Sequence, residues 1–201
     1  MHTNASTAPI TSTASLRAFS QSLPGRITLG IAATLVVAFA AHVSVPLPFT
    51  PVPLIMTPLA VLGVGLALGP VAGFAAMVAY LLEGAAGLPV FSPTGPGGLL
   101  QLLGPTGGYL LSYPLVAAIA GGAAKALSTR LPRFAAAAIA CTVAIAVLFT
   151  AGAFWFAHLV PSISAHAVWI GSIAPFLPGE VVKVLAAAGI YSTLTNRASR
   201  A

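Results

Sequence analysis

Long apolar runs dominate the chain, and short segments rich in proline, glycine or basic residues separate them. A membrane-spanning helix needs about 20 mostly apolar residues, or fewer where it packs against neighbouring helices. The pattern therefore predicts six spans, at 27–45, 52–68, 71–83, 109–127, 133–156 and 168–191. Only Gly69 and Pro70 separate the second span from the third, which predicts a tight turn and an antiparallel pair.

The composition supports a membrane protein. Of the 201 residues, 58% are hydrophobic and 5% are charged, whereas a soluble domain carries about 25% charged residues. The sequence predicts an all-α integral membrane protein, a single bundle of six transmembrane helices over 27–191 with Pro/Gly-rich outer loops. Residues 1–26 are predicted to form a disordered cytoplasmic tail, and 192–201 a cytoplasmic C-terminal tail.

The basic residues predict the orientation of the bundle. With six spans, seven of the eight basic residues fall on one side of the membrane, and the loops on the other side contain neither Lys nor Arg. The seven are Arg17, Arg26, Lys125, Arg130, Arg133, Arg197 and Arg200. The positive-inside rule then places both termini in the cytoplasm, as expected for a multi-pass protein of the plasma membrane.

The eighth basic residue, Lys183, lies inside the sixth predicted span, three residues after Glu180. A charged side chain in mid-bilayer costs about 2.5 to 3.5 kcal/mol on insertion scales, so such a residue is a functional candidate. The two charges share one helix face and indicate either a ligand site or a mutually satisfied pair that joins two helices. Glu83, at the end of the third span, is either a solvated helix end or part of the same site.

The outer loops predict binding more readily than catalysis. The loop 90–111 is rich in glycine and proline and contains Gln101 and Tyr109, but it has no phosphate-binding GK[ST] sequence. The chain contains no Asp, and its histidines lack the HExxH spacing, so a metal site or a Ser-His-Asp triad has no support. The segment 45–60 is rich in proline and is predicted to be a stiff, extended cover over the outer face.

Small residues form a stripe on the first predicted span. Gly30, Thr34 and Ala38 are spaced by four, so they lie on one face of a helix. Such a stripe lets another helix approach closely, and it fits a docking surface for a partner as well as internal packing.

Three segments, 45–70, 80–122 and 176–190, resemble in order and spacing the BioY family of biotin-transporter S components. The sequence GPTGGYLL at 104–111 is a specific part of this resemblance. The resemblance implies a six-helix protein that binds biotin with high affinity from outside and is not an enzyme. It also implies that a transmembrane coupling protein and two cytoplasmic ATPases of an energy-coupling factor (ECF) module are partners. ATP would bind only to those partners, and this chain would need no cofactor.

The resemblance also implies which residues meet biotin. Lys183 is expected to pair with the valerate carboxylate, and Glu180 or Glu83 to accept from the ureido N–H groups. In the opposite assignment, Lys183 pairs with Glu180, and amides of the loop bind the valerate carboxylate of biotin. The remaining expected contacts are Tyr109, Gln101, Phe91, Phe49 and Thr50.

Two departures from the family pattern stand out. Glu180 replaces the more usual Asp of the PGD sequence, and the stripe Gly30, Thr34, Ala38 replaces a strict AxxxA docking pattern. Two other functions stay open: an autonomous biotin carrier without coupling subunits, and an intramembrane enzyme that uses the glutamates and histidines.

Overall fold

A computed structural model describes residues 22–50, 52–160 and 162–198, most of which are helical. Residues 1–21, which form most of the predicted N-terminal tail, lie outside the described residues. In chain order the elements are α1 (Leu23–His42), β1 (Ser44–Val45), β2 (Leu54–Ile55), α2 (Thr57–Ala85), α3 (Gly98–Leu103), α4 (Gly107–Leu127), α5 (Arg133–Leu159), α6 (Ala165–Ser172), a 3₁₀ turn (Ala174–Phe176) and α7 (Leu177–Ala198).

Most helix ends differ from the predicted span boundaries by a few residues: α1 ends at His42 rather than at 45, and α2 begins at Thr57 rather than at 52. The largest extensions are at the start of α1 and the end of α7. Helix α1 begins at Leu23 rather than at residue 27, because the Ser22 hydroxyl accepts a hydrogen bond from the Gly25 amide at 3.2 Å and Pro24 suits the first turn. Helix α7 continues to Ala198, beyond the predicted end at residue 191. Both helices therefore extend past the apolar stretches from which the spans were predicted.

Helix α2 is broken at Gly69, where φ is 79° and Pro70 follows. A Cβ atom on Gly73 would lie 3.2 Å from the Cα of Gly65, whereas these two positions are about 12 Å apart in a straight helix. The halves on either side of Gly69 therefore fold back against each other. This reversal lies at the position where the sequence predicts a tight turn.

Four of the described helices, α1, α2, α4 and α5, are each long and apolar enough to cross a membrane, and α6 with α7 is a bent pair that could supply a fifth crossing. The bend between α6 and α7 is 49°. The predicted continuous span 168–191 is therefore wrong in detail. Pro175 lies in the 3₁₀ turn between the two helices, and a proline has no amide to continue a helical ladder.

Close packing of small residues holds α2 and α4 together. A Cβ atom on Gly121 in α4 would lie 2.3 Å from the main-chain oxygen of Gly65, and Ala117 and Ala120 beside it are fully buried. Small residues let membrane helices approach at backbone distance. Helix α4 also packs against α5, so it lies at the centre of the bundle.

The proline-rich segment and the glycine-rich loop contain three short elements that the sequence did not predict. Strands β1 and β2 form an antiparallel ladder that pairs Ser44 with Ile55 and Val45 with Leu54, which closes the proline-rich segment at its base. Helix α3 lies within the glycine-rich loop before α4. Among the described residues this two-residue ladder is thus the only β structure.

Candidate functional site

A cavity of about 270 Å³ lies between the proline-rich segment, the glycine-rich loop and helices α2, α4, α5 and α7. Small-molecule sites in proteins are concave, mostly apolar and carry a few well-placed polar groups, with volumes from about 300 Å³ upwards. Tyrosine, phenylalanine, proline and leucine side chains supply much of the lining here, and the charged residues among the described lining are Glu180 and Lys183.

Glu180 and Lys183 form a buried ion pair in this cavity. The Lys183 Nζ lies 2.5 Å from Glu180 Oε1, and the two side chains are 5% and 6% exposed, respectively. Glu180 lies in the first turn of α7, where the helix dipole favours a negative charge. Lys183 also donates to the main-chain oxygen of Ile55 at 2.6 Å, so two of its three N–H groups have acceptors inside the protein.

Two buried side-chain oxygens of the described residues have no hydrogen-bond partner, Glu180 Oε2 and Thr57 Oγ1. Both residues line the cavity. A buried polar atom without a partner costs about 1 to 3 kcal/mol, so such atoms are rare unless a ligand or water meets them. A ligand group that reached these two oxygens would therefore satisfy one carboxylate acceptor and one hydroxyl.

Gln101 holds the glycine-rich loop in place. Its Oε1 accepts from the Gly97 amide at 3.1 Å, and its Nε2 donates to the Ser92 carbonyl at 3.3 Å. The side chain is buried, and a Cβ atom on Gly95 would lie 2.8 Å from its Cδ. Gln101 thus lines the cavity and also fixes the loop that covers it.

Tyr109 and Thr50 bind the C-terminal end of α6. The Tyr109 hydroxyl donates to the Ser172 carbonyl at 2.5 Å, and the Thr50 hydroxyl donates to the Gly171 carbonyl. The last carbonyls of a helix lack partners within the helix, and these two side chains supply donors to them. Because α6 leads through the 3₁₀ turn into α7, these hydrogen bonds help to position Glu180.

Of the eight side chains expected to contact the ligand, four line the cavity: Glu180, Lys183, Tyr109 and Gln101. The other four are absent from the described lining. Glu83 is half-buried at the end of α2, and Phe49 is exposed. Phe91 is buried against Tyr80, with ring centroids 5.5 Å apart. Thr50 is the fourth, and its hydroxyl serves α6 instead.

The three residues of the stripe on α1 do not share one environment. The Thr34 side chain is buried and its hydroxyl donates to the Ile31 carbonyl at 3.0 Å. A Cβ atom on Gly30 would meet nothing within 4 Å, and Ala38 is half-buried. The three residues share one face, and Thr34 is packed against the interior, whereas Gly30 lies at the part of that face where no neighbour comes within 4 Å of its Cβ position.

Sequence reasoning missed several residues that line the cavity, among them Thr57, Tyr80, Tyr113 and Phe176. The two tyrosines carried a signal, because a hydroxyl inside an apolar span needs a polar partner or a cavity. The Tyr80 hydroxyl donates to the Val90 carbonyl at 2.8 Å. The sequence contained no such signal for Thr57, an ordinary residue at the start of a helix, or for Phe176, an ordinary residue in a turn.

A helical membrane protein with a small, mostly apolar cavity, covered by loops and containing a buried ion pair, belongs to the class of small-molecule-binding membrane proteins. The family model of the BioY family matches residues 11–200, so the chain belongs to the BioY family. This membership makes it a multi-pass membrane protein.

Curated relatives match over most of their length. The probable biotin transporter BioY of Pyrococcus horikoshii is 33% identical over 144 residues, which is 72% of this chain and 81% of the relative. The biotin transporter BioY of Rhodobacter capsulatus is 33% identical over 176 residues, 84% of this chain and 91% of the relative. The biotin transporter BioY of Thermotoga maritima is 33% identical over 162 residues, 81% of this chain and 90% of the relative.

A solved structure also matches, that of the S-component for biotin from an ECF-type ABC transporter. The TM-score is 0.76 and the sequence identity 24%, over 85% of this chain and 90% of that chain. At this identity the match shows that the two chains share a fold.

Proposed function

We propose that this chain takes up biotin as the membrane-embedded substrate-binding subunit of an ECF-type transporter. It captures biotin from outside in the cavity that Glu180 and Lys183 line, and it catalyses no reaction itself. The names of the curated relatives support biotin as the ligand, and the fold of the solved S component supports the subunit's role. The observation that carries the proposal is the unpartnered Oε2 of a buried carboxylate that lines a cavity of small-molecule size.

The ion pair favours one orientation of biotin. Lys183 is already neutralised by Glu180 and donates to the Ile55 carbonyl, so it is a poor partner for the valerate carboxylate. Glu180 Oε2, in contrast, is a free acceptor that suits a ureido N–H. The ureido ring therefore lies at Glu180, and the carboxylate lies toward the loop that contains Ser92, Thr94 and Thr106, where hydroxyls and loop amides supply donors.

The partners proposed for transport are a transmembrane coupling protein and two cytoplasmic ATPases, with both termini in the cytoplasm. Six crossings fit this topology if the halves of α2 each cross the membrane, which the backbone reversal at Gly69 supports. Helix α1 is the proposed docking element, through its exposed apolar side rather than through Thr34, which is buried, or Ala38, which packs against the core. Its exposed apolar side chains, such as Leu35 and Phe39, offer contact area to a partner helix.

Biotin binding to the purified protein tests the ligand and the site together. We expect submicromolar affinity in a calorimetric titration, and we expect endogenous biotin to copurify. Glu180→Gln should weaken binding by about 100-fold or more, which corresponds to about 2.7 kcal/mol. Failure of the wild-type protein to bind at micromolar biotin would overturn the proposed function.

Glu83→Gln is the matched control, because Glu83 is the other acidic residue of the chain and is absent from the described cavity lining. It should bind biotin within about twofold of wild type, since the half-buried side chain is absent from the described cavity lining and Gln keeps its size. A loss comparable to that of Glu180→Gln would refute the assigned site. Uptake of labelled biotin in host cells with and without coupling subunits tests the partner requirement.

A further inference from the structure

We propose that Thr57 is a further specificity-determining residue of this cavity, which recognises the carbonyl oxygen of a cyclic urea. The Thr57 hydroxyl donates to that oxygen while Glu180 Oε2 accepts an adjacent N–H of the same ring. This inference rests on the proposed function, because it assigns biotin's ureido group to a second side chain.

The first observation that supports this role is the burial of Thr57. The residue is 1% exposed and lines the cavity, and its hydroxyl lies near the Tyr113 hydroxyl without forming a hydrogen bond of normal geometry. Threonines elsewhere in the bundle satisfy their hydroxyls on the preceding helical turn, as Thr142 does on the Ala138 carbonyl at 2.8 Å. Thr57 is the first residue of α2 and has no preceding turn of that helix. A valine would fill the same space without burying a hydroxyl.

The second observation is the position of Lys183, which links the segments that contain Glu180 and Thr57. Its Nζ contacts both Glu180 Oε1 and the carbonyl of Ile55, which lies two residues before Thr57. Lys183 thus ties the first turn of α7 to the segment that leads into α2. The two unpartnered oxygens belong to segments that this one ammonium group holds together.

The chemistry of the two oxygens selects the ligand group. A carboxylate can only accept hydrogen bonds, whereas a threonine hydroxyl can also donate one. Together they complement a neighbouring N–H donor and carbonyl acceptor, the edge that a cyclic urea presents. A cationic guanidinium is disfavoured here, because the Lys183 ammonium lies against the same carboxylate.

The test compares biotin with the analogue in which sulfur replaces the ureido oxygen and so weakens the hydrogen-bond acceptor. Thr57→Val should lower the affinity for biotin by about tenfold, as expected for one lost hydrogen bond. It should lower the affinity for the sulfur analogue by less than about threefold, because that ligand forms the bond poorly. Thr57→Ser keeps the hydroxyl and should restore wild-type discrimination between the two ligands.

Thr142→Val is the control, since it makes the same chemical change in α5 at a residue absent from the described cavity lining. It should leave both affinities within about twofold. Equal losses for the two ligands in Thr57→Val would overturn the carbonyl assignment, and so would unchanged biotin affinity. Both outcomes are distinct from failure of the proposed function, in which the wild-type protein itself would not bind biotin.

Discussion

Lys183 donates a hydrogen bond from α7 to the main-chain carbonyl of Ile55, 2.6 Å away in strand β2. The bond links the start of the last helix to the proline-rich segment near the start of α2. The same ammonium group neutralises Glu180. One side chain therefore contributes both to the electrostatics of the cavity and to the position of the proline-rich segment beside it.

The first prediction concerns the energetic coupling of this pair. Lys183→Met leaves the buried Glu180 carboxylate without a counter-ion, and Glu180→Gln leaves the buried ammonium without one. Each single change should reduce the free energy of unfolding by about 3 to 5 kcal/mol. The double variant buries no unpaired charge, so it should be more stable than either single variant. Thermal unfolding in detergent without biotin measures this, and losses that simply add would contradict it.

A second prediction concerns the hydrogen bond between Tyr109 and Ser172. Tyr109→Phe removes the donor and leaves a buried carbonyl at the end of α6 without that partner, so we expect a loss of about 1 to 2 kcal/mol in unfolding free energy. Tyr191→Phe is the control, because Tyr191 lies on α7 and is absent from the described cavity lining. It should cost at most about 0.5 kcal/mol. Equal stabilities of the two variants would argue against a structural role for the Tyr109 hydroxyl.

A third prediction concerns the loop that Gln101 holds. Gln101→Leu removes the bonds to the Gly97 amide and the Ser92 carbonyl, so the loop should open more often. We expect biotin to dissociate about tenfold faster, equivalent to about 1.4 kcal/mol. Stopped-flow displacement of a fluorescent biotin measures the rate. Leu103→Ala, at an exposed residue on α3, should leave the rate within about twofold, and an equal acceleration there would show that any change near the loop has this effect.

The buried charges were the part of the site that the sequence predicted best. A charged residue in an apolar run is costly wherever the helix packs, so Glu180 and Lys183 stood out without knowledge of the fold. The sequence left two interpretations, a ligand site or a satisfied pair. In the structure Lys183 binds one carboxylate oxygen and the other has no partner among the described residues, so the pair is present and the ligand site stays a prediction.

Residues that were proposed as ligand contacts because they lie in or near a loop were predicted less well. Phe49 and Gln101 both lie in or near loops rich in proline or glycine, yet Phe49 is exposed and Gln101 lines the cavity. Loop position says which side of the membrane a residue faces, whereas side-chain direction depends on backbone turns and on the short ladder between β1 and β2. Thr57 was missed because threonine is common at helix starts, and its hydroxyl becomes unusual only once its burial is known.

The apolar pattern predicted the helices better than their breaks. The turn at Gly69 was predicted because glycine and proline are adjacent there, and the backbone reverses at that point. The break between α6 and α7 was missed, because the residues around Pro175 are as apolar as a continuous span. Hydropathy measures where a chain avoids water, and it says little about where a helical ladder is interrupted.

The last prediction uses two glycines of α2, two residues apart. A Cβ atom on Gly65 would lie 2.2 Å from the main-chain oxygen of Ala117 in α4, whereas one on Gly63 would meet nothing within 4 Å. Because the Ala117 oxygen belongs to the backbone of a central helix, it cannot move aside without shifting α4. Gly65→Ala should therefore destabilise the protein by about 2 kcal/mol or more.

Gly63→Ala makes the same change without a clash and should be neutral or up to about 1 kcal/mol stabilising, since alanine favours a helix over glycine. Thermal unfolding of both variants in detergent measures the difference. The tyrosines of α4 that line the cavity, Tyr109 and Tyr113, lie on the helix that Gly65→Ala would displace, so biotin affinity should fall in that variant and stay unchanged in Gly63→Ala. If both variants unfolded at the same temperature, backbone contact between α2 and α4 would not be what positions this wall of the cavity.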